Sequence, residues 1–140
     1  MEEHSGSLEL EICPIEKRAV RAIVSEVVIP GEEGFFTVYP GHTPFLSSLH
    51  NGPMVARDAE GELHFYAING GFAEVLNDKV LVLARSAESD EEIDQDRAEQ
   101  ARQRAERRLQ GGDTDVDVGR AEAALERALV RLQVKRRAMV

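Results

Sequence analysis

The spacing of apolar residues changes part-way along this chain of 140 residues, and the change divides it into two parts. Up to about Ala84, apolar and polar residues alternate, as at Leu8, Leu10 and Ile12 with a glutamate between each pair. A period of two is typical of strands that bury one face. After Ser86 the apolar residues, mostly alanine, leucine and valine, recur with the spacing of a helix. We therefore predict a β-sheet part followed by a helical part.

The first part, residues 1–86, contains many short apolar runs separated by turn residues such as Pro40-Gly41 and Gly70-Gly71. Frequent short strands of this kind indicate an antiparallel sandwich or flattened barrel. The glycine pair is interpreted as a bend between two strands. The first strand is predicted to start at Leu8, and the others cover residues 20–29, 35–39, 46–49, 54–57, 63–68, 72–76 and 80–84.

The second part, residues 89–140, is predicted to be an antiparallel hairpin of two helices. Ser89 followed by Glu92 has the spacing of a capping box, so the first helix is expected to follow it and reach about Gln110. The sequence GGDT at 111–114 ends it, and Asp115 or Asp117 can cap the second helix. The whole chain is thus assigned to the α+β class.

Alanine dominates the apolar face of each predicted helix. The stripes contain Ala98, Ala101, Ala105 and Leu109 on the first helix, and Val118, Ala121, Leu125, Ala128 and Leu132 on the second. Each buried methyl group contributes only about 0.8 kcal/mol, so two such helices hold together weakly. Two interpretations stay open: a hairpin that packs permanently on the sandwich, and a switch that can open.

Cationic side chains line one direction of each predicted helix. They are Arg97, Arg104 and Arg108 on the first, and Arg120, Arg127, Arg131 and Lys135 on the second. If the hairpin closes, converging guanidinium groups could bind phosphate or carboxylate oxygens. Alternatively, they are solvated charges paired with Glu106, Glu122 and Glu126.

Composition excludes several classes of function. The net charge of −9 argues against nucleic-acid binding, and no apolar run is long enough to span a membrane. Cys13 is the only cysteine, so no intrachain disulfide can form, and we interpret it as a packed side chain. The histidines lack ligand spacing and no nucleophile–base arrangement stands out, so we predict no metal site and no enzyme.

Two segments of the first part have distinctive sequences. Residues 29–46 are IPGEEGFFTVYPGHTPFL, and residues 70–75, GGFAEV, are followed by VLVLA at 80–84. Together they resemble the epsilon subunits of bacterial F-type ATP synthases, the first segment the characteristic loop of that family and the second the last strands of its sandwich. The resemblance covers nearly the whole chain, in the same order and with the same spacing.

The resemblance implies a non-catalytic subunit of the central stalk, or rotor, which couples ion translocation to ATP synthesis. The sandwich would bind the gamma subunit and the c-ring, and the complex would hold the chain peripherally at the cytoplasmic side of the bacterial inner membrane. A subunit-contact loop is expected at Tyr39, Pro40, Gly41, His42, Thr43 and Pro44. The hairpin would extend towards the alpha and beta subunits to inhibit ATP hydrolysis, with Arg127, Arg131 and Lys135 in contact with acidic segments.

Some members of the family bind ATP on the folded hairpin, and residues 93–98, IDQDRA, match their motif. The resemblance therefore implies ATP as a regulatory ligand, with no cofactor required. Asp96 adds a negative charge beside the phosphate site, which would weaken binding. The alternative function is a stand-alone ATP-sensing module. The implied nucleotide-binding residues are Glu88, Ile93, Asp94, Arg97, Ala98, Arg104, Arg127 and Arg131.

Overall fold

Nine strands precede two helices in the computed structural model, which describes residues 6–111 and 116–139. Each strand predicted from the sequence is present, with small shifts at its ends. The strands are β1 (Leu8–Pro14), β2 (Val20–Gly31), β3 (Gly34–Val38), β4 (Phe45–Ser48), β5 (Gly52–Asp58), β6 (Leu63–Asn69), β7 (Phe72–Leu76), β8 (Lys79–Ala84) and β9 (Ser86–Ser89).

The strands form one sheet in the order β4-β7-β8-β1-β2-β5-β6-β9, and β3 pairs with β2. The sandwich and the α+β class are confirmed. One pairing departs from the predicted antiparallel arrangement, because β1 and β8 run parallel. In that pairing the buried Leu10 and Ile12 lie opposite the buried Val80 and Val82. The first and last long strands thus meet with matching apolar faces.

The main core lies inside the sandwich and is built by the alternating positions of its strands. Leu8, Leu10 and Ile12 of β1 are almost completely buried, as the alternation predicts. The rest of this core comes from β2, β3 and β5 to β9 together with Leu49, and its last member along the chain is Ala87. No residue of the helices belongs to it. The sandwich is therefore a packed unit in its own right.

The strand β9 was missed from the sequence. Its residues, SAES, pair with β6 from Tyr66–Asn69. The run has no β-branched or aromatic residue, so local propensity does not indicate a strand. It is held by the ladder to β6 and by burial of Ala87.

The helices are α1 (Gln95–Gln110) and α2 (Val118–Ala138), which pack along one another. Asp94 caps α1 by accepting the backbone N–H of Arg97, and Asp117 caps α2 in the same way through Arg120. The cap predicted at Asp117 is confirmed. Asp115 and most of the predicted GGDT break lie outside the described residues. Among residues 6–111 and 116–139, no helix is apolar over a length that would cross a bilayer.

The start of α1 was predicted too early. Ser89 and Glu92 do exchange the two hydrogen bonds of a capping box, at 3.1 and 3.3 Å. These bonds close a turn instead of a helix, since Asp94 provides a second cap and α1 begins only at Gln95. The Ser89–Glu92 pair thus stabilises the turn before α1 but is not the N-cap of the helix.

A second core joins α2 to the outer side of β6, and this contact was missed from the sequence. It contains Phe65, Ala67, Ile93, Val130 and Val134. On the predicted stripes, Ala98, Ala105, Ala121 and Ala128 are buried, whereas Val118 is 54% exposed. The helix α2 therefore packs on two sides, with alanines towards one and valines towards the sheet.

Candidate functional site

A polar cleft of about 330 Å³ lies between α1, α2 and the segment that connects the sheet to the helices. Arg97 and Arg104, two helical turns apart, line it from α1, and Arg131 lines it from α2. The predicted convergence of the two cationic edges is thus present for three arginines. The other lining residues are Glu88, Glu92, Asp94, Ala98, Gln100 and Ala101.

Three carboxylates balance the three guanidinium groups of the cleft. Glu88 of β9 binds Arg131, with 2.6 Å between Oε1 and Nε. Asp94 uses its carboxylate to cap α1. Neither Arg97 nor Arg104 makes an ion pair with any residue in the described ranges. Their donors are therefore the ones available to an anionic ligand.

Glu92, on the rim of the same cleft, is held in its charged form. Its pKa is lowered chiefly by the backbone N–H of Ser89, and next by the side chain of Lys17. Lys17 lies in the β1–β2 turn, with its Nζ 3.0 Å from the Glu92 carboxylate. This ion pair ties the start of the helical part to the sandwich.

Two of the predicted nucleotide-binding residues lie outside the cleft. Ile93 is 3% exposed and belongs to the core between α2 and the sheet, so its side chain packs there and does not line the cleft. Arg127 lines a small neighbouring cavity with Asn51, Glu88 and Arg131. Asp96, which was expected beside the phosphate site, is exposed and does not line the cleft.

The three cations predicted to make the inhibitory contact differ in their surroundings. Arg131 is bound by Glu88, and Lys135 donates to the carbonyl oxygen of Asp90 at 2.8 Å. Both interactions fasten α2 to the end of the sheet. Arg127 is exposed and has no ion pair within the described part of the chain. Two of the three glutamates proposed to pair with the cationic side chains bind other residues, since Glu106 pairs with Arg102 and Glu126 with His50.

The predicted contact loop, residues 39–44, forms an exposed tight turn. The N–H of His42 donates to the carbonyl of Tyr39 at 3.1 Å, and Gly41 has φ of 86°. Proline followed by a glycine of positive φ is the pattern of a type II turn. The His42 ring lies edge-on to Phe45, with 6.1 Å between ring centroids. The side chain of Tyr39 is 56% exposed beside this turn.

An outer apolar patch adjoins the contact loop, and sequence reasoning did not single it out. It consists of Leu46, Phe72, Leu76 and Leu83, which are 68, 54, 46 and 48% exposed. Phe72 and Leu83 are direct cross-strand partners, so their side chains stand together on one face of the sheet. The signal was the unbroken apolar run of β8, VLVLA, which places apolar residues on both faces.

Two other sites contain side chains that can react or bind a metal, and in both the contacts serve the local structure. Burial raises the pKa of the Cys13 thiol, and its contact with Glu11 adds to this effect, so the thiol is kept protonated. Asp58, Glu62 and His64 come together at the β5–β6 turn. The pKa of Asp58 is lowered first by His64 and then by the Glu62 N–H, so this carboxylate organises the turn.

Comparison with known proteins assigns both parts of the chain. Residues 7–90 match the family model of the ATP synthase delta/epsilon chain β-sandwich domain. Residues 91–136 match that of the long α-helix domain of the same chain. The chain belongs to the delta/epsilon family of ATP synthase subunits. The family match agrees with the resemblance found in the sequence.

Relatives of the family align over most of both chains. An ATP synthase epsilon chain of Thermodesulfovibrio yellowstonii is 48% identical over 132 residues, covering 92% of this chain and 94% of the relative. One from Nitratidesulfovibrio vulgaris strain DP4 is 50% identical over 103 residues, covering 74% and 76%. A chain in the cryo-EM structure of the Euglena gracilis mitochondrial ATP synthase, comprising OSCP, F1 and c-ring, superimposes with a TM-score of 0.80. That match has 25% identity and covers 94% of this chain and 82% of the other.

Proposed function

We propose that this chain is a non-catalytic rotor subunit in the central stalk of a bacterial F-type ATP synthase. It couples ion translocation to ATP synthesis, and its C-terminal helices inhibit ATP hydrolysis. The observation that carries this proposal is the match of both parts, residues 7–90 and 91–136, to subunits of this family. The similarity to a chain in an assembly of F1 and c-ring supports the central-stalk position.

The partners of the sandwich are the gamma subunit and the c-ring. The outer apolar patch supports this part of the proposal, because exposed apolar side chains that adjoin one another are typical of a surface that a protein covers. The contact loop next to the patch supplies a second, more polar surface. Through these partners the chain is held at the cytoplasmic side of the inner membrane.

The inhibitory partners are the alpha and beta subunits, reached when the hairpin leaves the sandwich and extends. Its attachment supports such a movement. The second core is small, and the contacts that add to it include polar ones, such as Glu88 with Arg131 and Lys135 with the Asp90 carbonyl. The main core loses no residue when α1 and α2 move away. Release of the hairpin therefore leaves the docking domain folded.

Reconstitution tests the rotor proposal. Adding the full chain to an ATP synthase depleted of this subunit should lower ATP hydrolysis. A chain ending at Glu92 should still bind the gamma subunit but relieve the inhibition, since the whole sandwich is retained. A full-length chain that does not associate with gamma would rule the proposal out.

A charge reversal tests the inhibitory contact itself. Arg127→Glu is the informative change, because Arg131 and Lys135 also fasten the folded hairpin and their replacement would alter two states at once. Arg127→Glu should reduce inhibition several-fold by repelling acidic segments. Arg136→Glu, a reversal at another exposed arginine of α2, is the matched control and should change inhibition little. Equal effects of both reversals would contradict a specific contact.

The cleft supports a second candidate function, an ATP-sensing module. Arg97 and Arg104, which form no ion pair with a described residue, line a space of about 330 Å³ that suits the phosphates of a nucleotide. Titration calorimetry with ATP should give heat with the wild type and about tenfold weaker binding with Arg104→Ala, the loss expected for one charged hydrogen bond. Arg107→Ala, on the neighbouring exposed face of α1, is the control. Absence of heat at millimolar ATP would eliminate the sensor and leave the rotor proposal intact.

A further inference from the structure

Two tight turns from distant parts of the sequence meet at the edge of the sandwich. The first is the type II turn of the contact loop, Tyr39–His42, whose third residue, Gly41, has a positive φ. Glycine has wide backbone freedom, so a loop built around Gly41 needs an external contact to keep one conformation.

The second turn joins β7 to β8 and is rigid. Its two central residues, Asn77 and Asp78, have φ of 51° and 61°, and the flanking Leu76 and Lys79 are direct partners. Positive φ at both central positions defines the type I′ turn, which suits the twist of a hairpin. The carbonyl of Asp78 also accepts the backbone N–H of Glu9 at 2.9 Å, which ties the turn to β1.

Asp78 links the two turns through its side chain. Its Oδ1 accepts the backbone N–H of Gly41 at 2.7 Å. Hydrogen bonds to a carboxylate are shorter and stronger than those between neutral groups. Asp78 is held by β7 and β8 on either side of it and by the hydrogen bond to β1. Its side chain therefore connects a fixed backbone position to Gly41, the residue of the loop with the widest backbone freedom.

We propose that Asp78 is the positioning residue of the contact loop, holding Gly41 so that the loop meets its partner in one conformation. This rests on the proposed function, in which residues 39–44 contact another subunit. A loop already held in its bound conformation loses less entropy on binding, so the carboxylate raises affinity without touching the partner.

Two substitutions at Asp78 and one at its neighbour distinguish the effect of the Asp78 carboxylate from that of the turn backbone. Asp78→Gly removes the acceptor and tolerates the positive φ, so the hairpin itself is not strained. Asp78→Asn keeps a side-chain oxygen and also tolerates this backbone region. Asn77→Gly changes the same turn by the same kind of replacement but leaves Asp78 and Gly41 in place.

Binding is measured to an isolated gamma–c-ring subcomplex in detergent, and the amide resonance of Gly41 is followed in parallel by NMR. Asp78→Gly should shift the Gly41 amide signal and weaken binding about tenfold, the loss expected for a hydrogen bond to a charged group. Asp78→Asn should restore most of the affinity, and Asn77→Gly should bind like the wild type.

The outcomes distinguish failure of the proposed docking function from failure of the positioning role. Wild type that does not bind the subcomplex overturns the proposed docking function and the positioning role with it. Wild type that binds, with Asp78→Gly binding equally well, overturns the positioning role alone. Equal weakening by Asp78→Gly and Asn77→Gly also overturns it, because turn rigidity and not the carboxylate would then set the loop.

Discussion

Gly71 occupies a backbone position that no larger residue can take without displacing its neighbours. Its φ is 110°, and a Cβ built there would overlap the carbonyl oxygen of Leu83 on the adjacent strand. The sequence predicted a bend at Gly70-Gly71, and β6 and β7 do end and begin on either side of it. It could not reveal which glycine lies against β8, because that depends on the strand order.

Gly71→Ala is expected to lower the free energy of unfolding by about 3 kcal/mol or more, from backbone strain together with the forced displacement of β8. Urea denaturation monitored by circular dichroism measures the loss. Gly61→Ala is the matched control, since Gly61 has φ of 85° but open space around its Cβ position. It should cost only the strain, about 1 kcal/mol. Equal losses would contradict the close approach to Leu83.

At the scale of elements, what the sequence could predict depended on whether an element is specified locally. The long strands were predicted from their own residues, since β1 alternates apolar and polar side chains and β8 is a short apolar run that follows turn residues. The strand β9 and the delayed start of α1 were not, since pairing with β6 and the cap at Asp94 decide them. The valine face of α2 was also missed, because alanine spacing alone already accounted for one buried side.

The valine face predicts how the hairpin is held. Val134 is fully buried between α2 and the sheet, whereas Leu129 on the same helix is 47% exposed. Val134→Ala should weaken the attachment by about 2 kcal/mol, while Leu129→Ala should change it little. Hydrogen exchange should then show faster exchange in α2 with an unchanged sandwich core. Faster exchange throughout the sandwich would contradict a separate attachment of the hairpin.

The ion pair of Lys17 with Glu92 gives this attachment a pH dependence. The backbone N–H of Ser89, and next the side chain of Lys17, lower the pKa of Glu92 from its usual 4.5 in the folded chain, so the contribution of its charged form is present above that value and is lost as the pH falls through the lowered pKa. The pair is exposed, so the contribution is small, about 0.5 kcal/mol. Glu92→Gln should remove this amount near neutral pH and nothing in acid. Glu91→Gln, next to it and also exposed, is the control in a denaturation series over pH.

At the scale of the whole molecule, the candidate site forms only when the hairpin is folded on the sandwich. Periodicity and family resemblance named Arg97, Arg104 and Arg131, and the structure brings them into one cleft. The same two sources could not show that Arg127 and Ile93 lie outside the cleft. Helical spacing gives the direction of a side chain about its own helix, whereas the rotation of α2 on the sheet is set by the packing of Val130 and Val134.

The division of the molecule into a sandwich with its own core and a helical hairpin predicts which fragments fold by themselves. The main core contains no residue beyond Ala87, so a fragment of residues 1–92 keeps all of it and both partners of the β6–β9 ladder. We expect this fragment to unfold cooperatively. It should be less stable than the full chain, since removal of α2 exposes Phe65 and Ala67.

A fragment of residues 1–85 should be clearly weaker, although it is only slightly shorter. It lacks β9 and leaves β6 as an open edge, and it removes Ala87 from the main core. Loss of the ladder bonds and of this methyl group should cost about 2–4 kcal/mol relative to residues 1–92. Thermal unfolding of the two fragments compares them directly. Equal stability would mean that β9 belongs to the hairpin and not to the sandwich, and the boundary would then lie before Ser86.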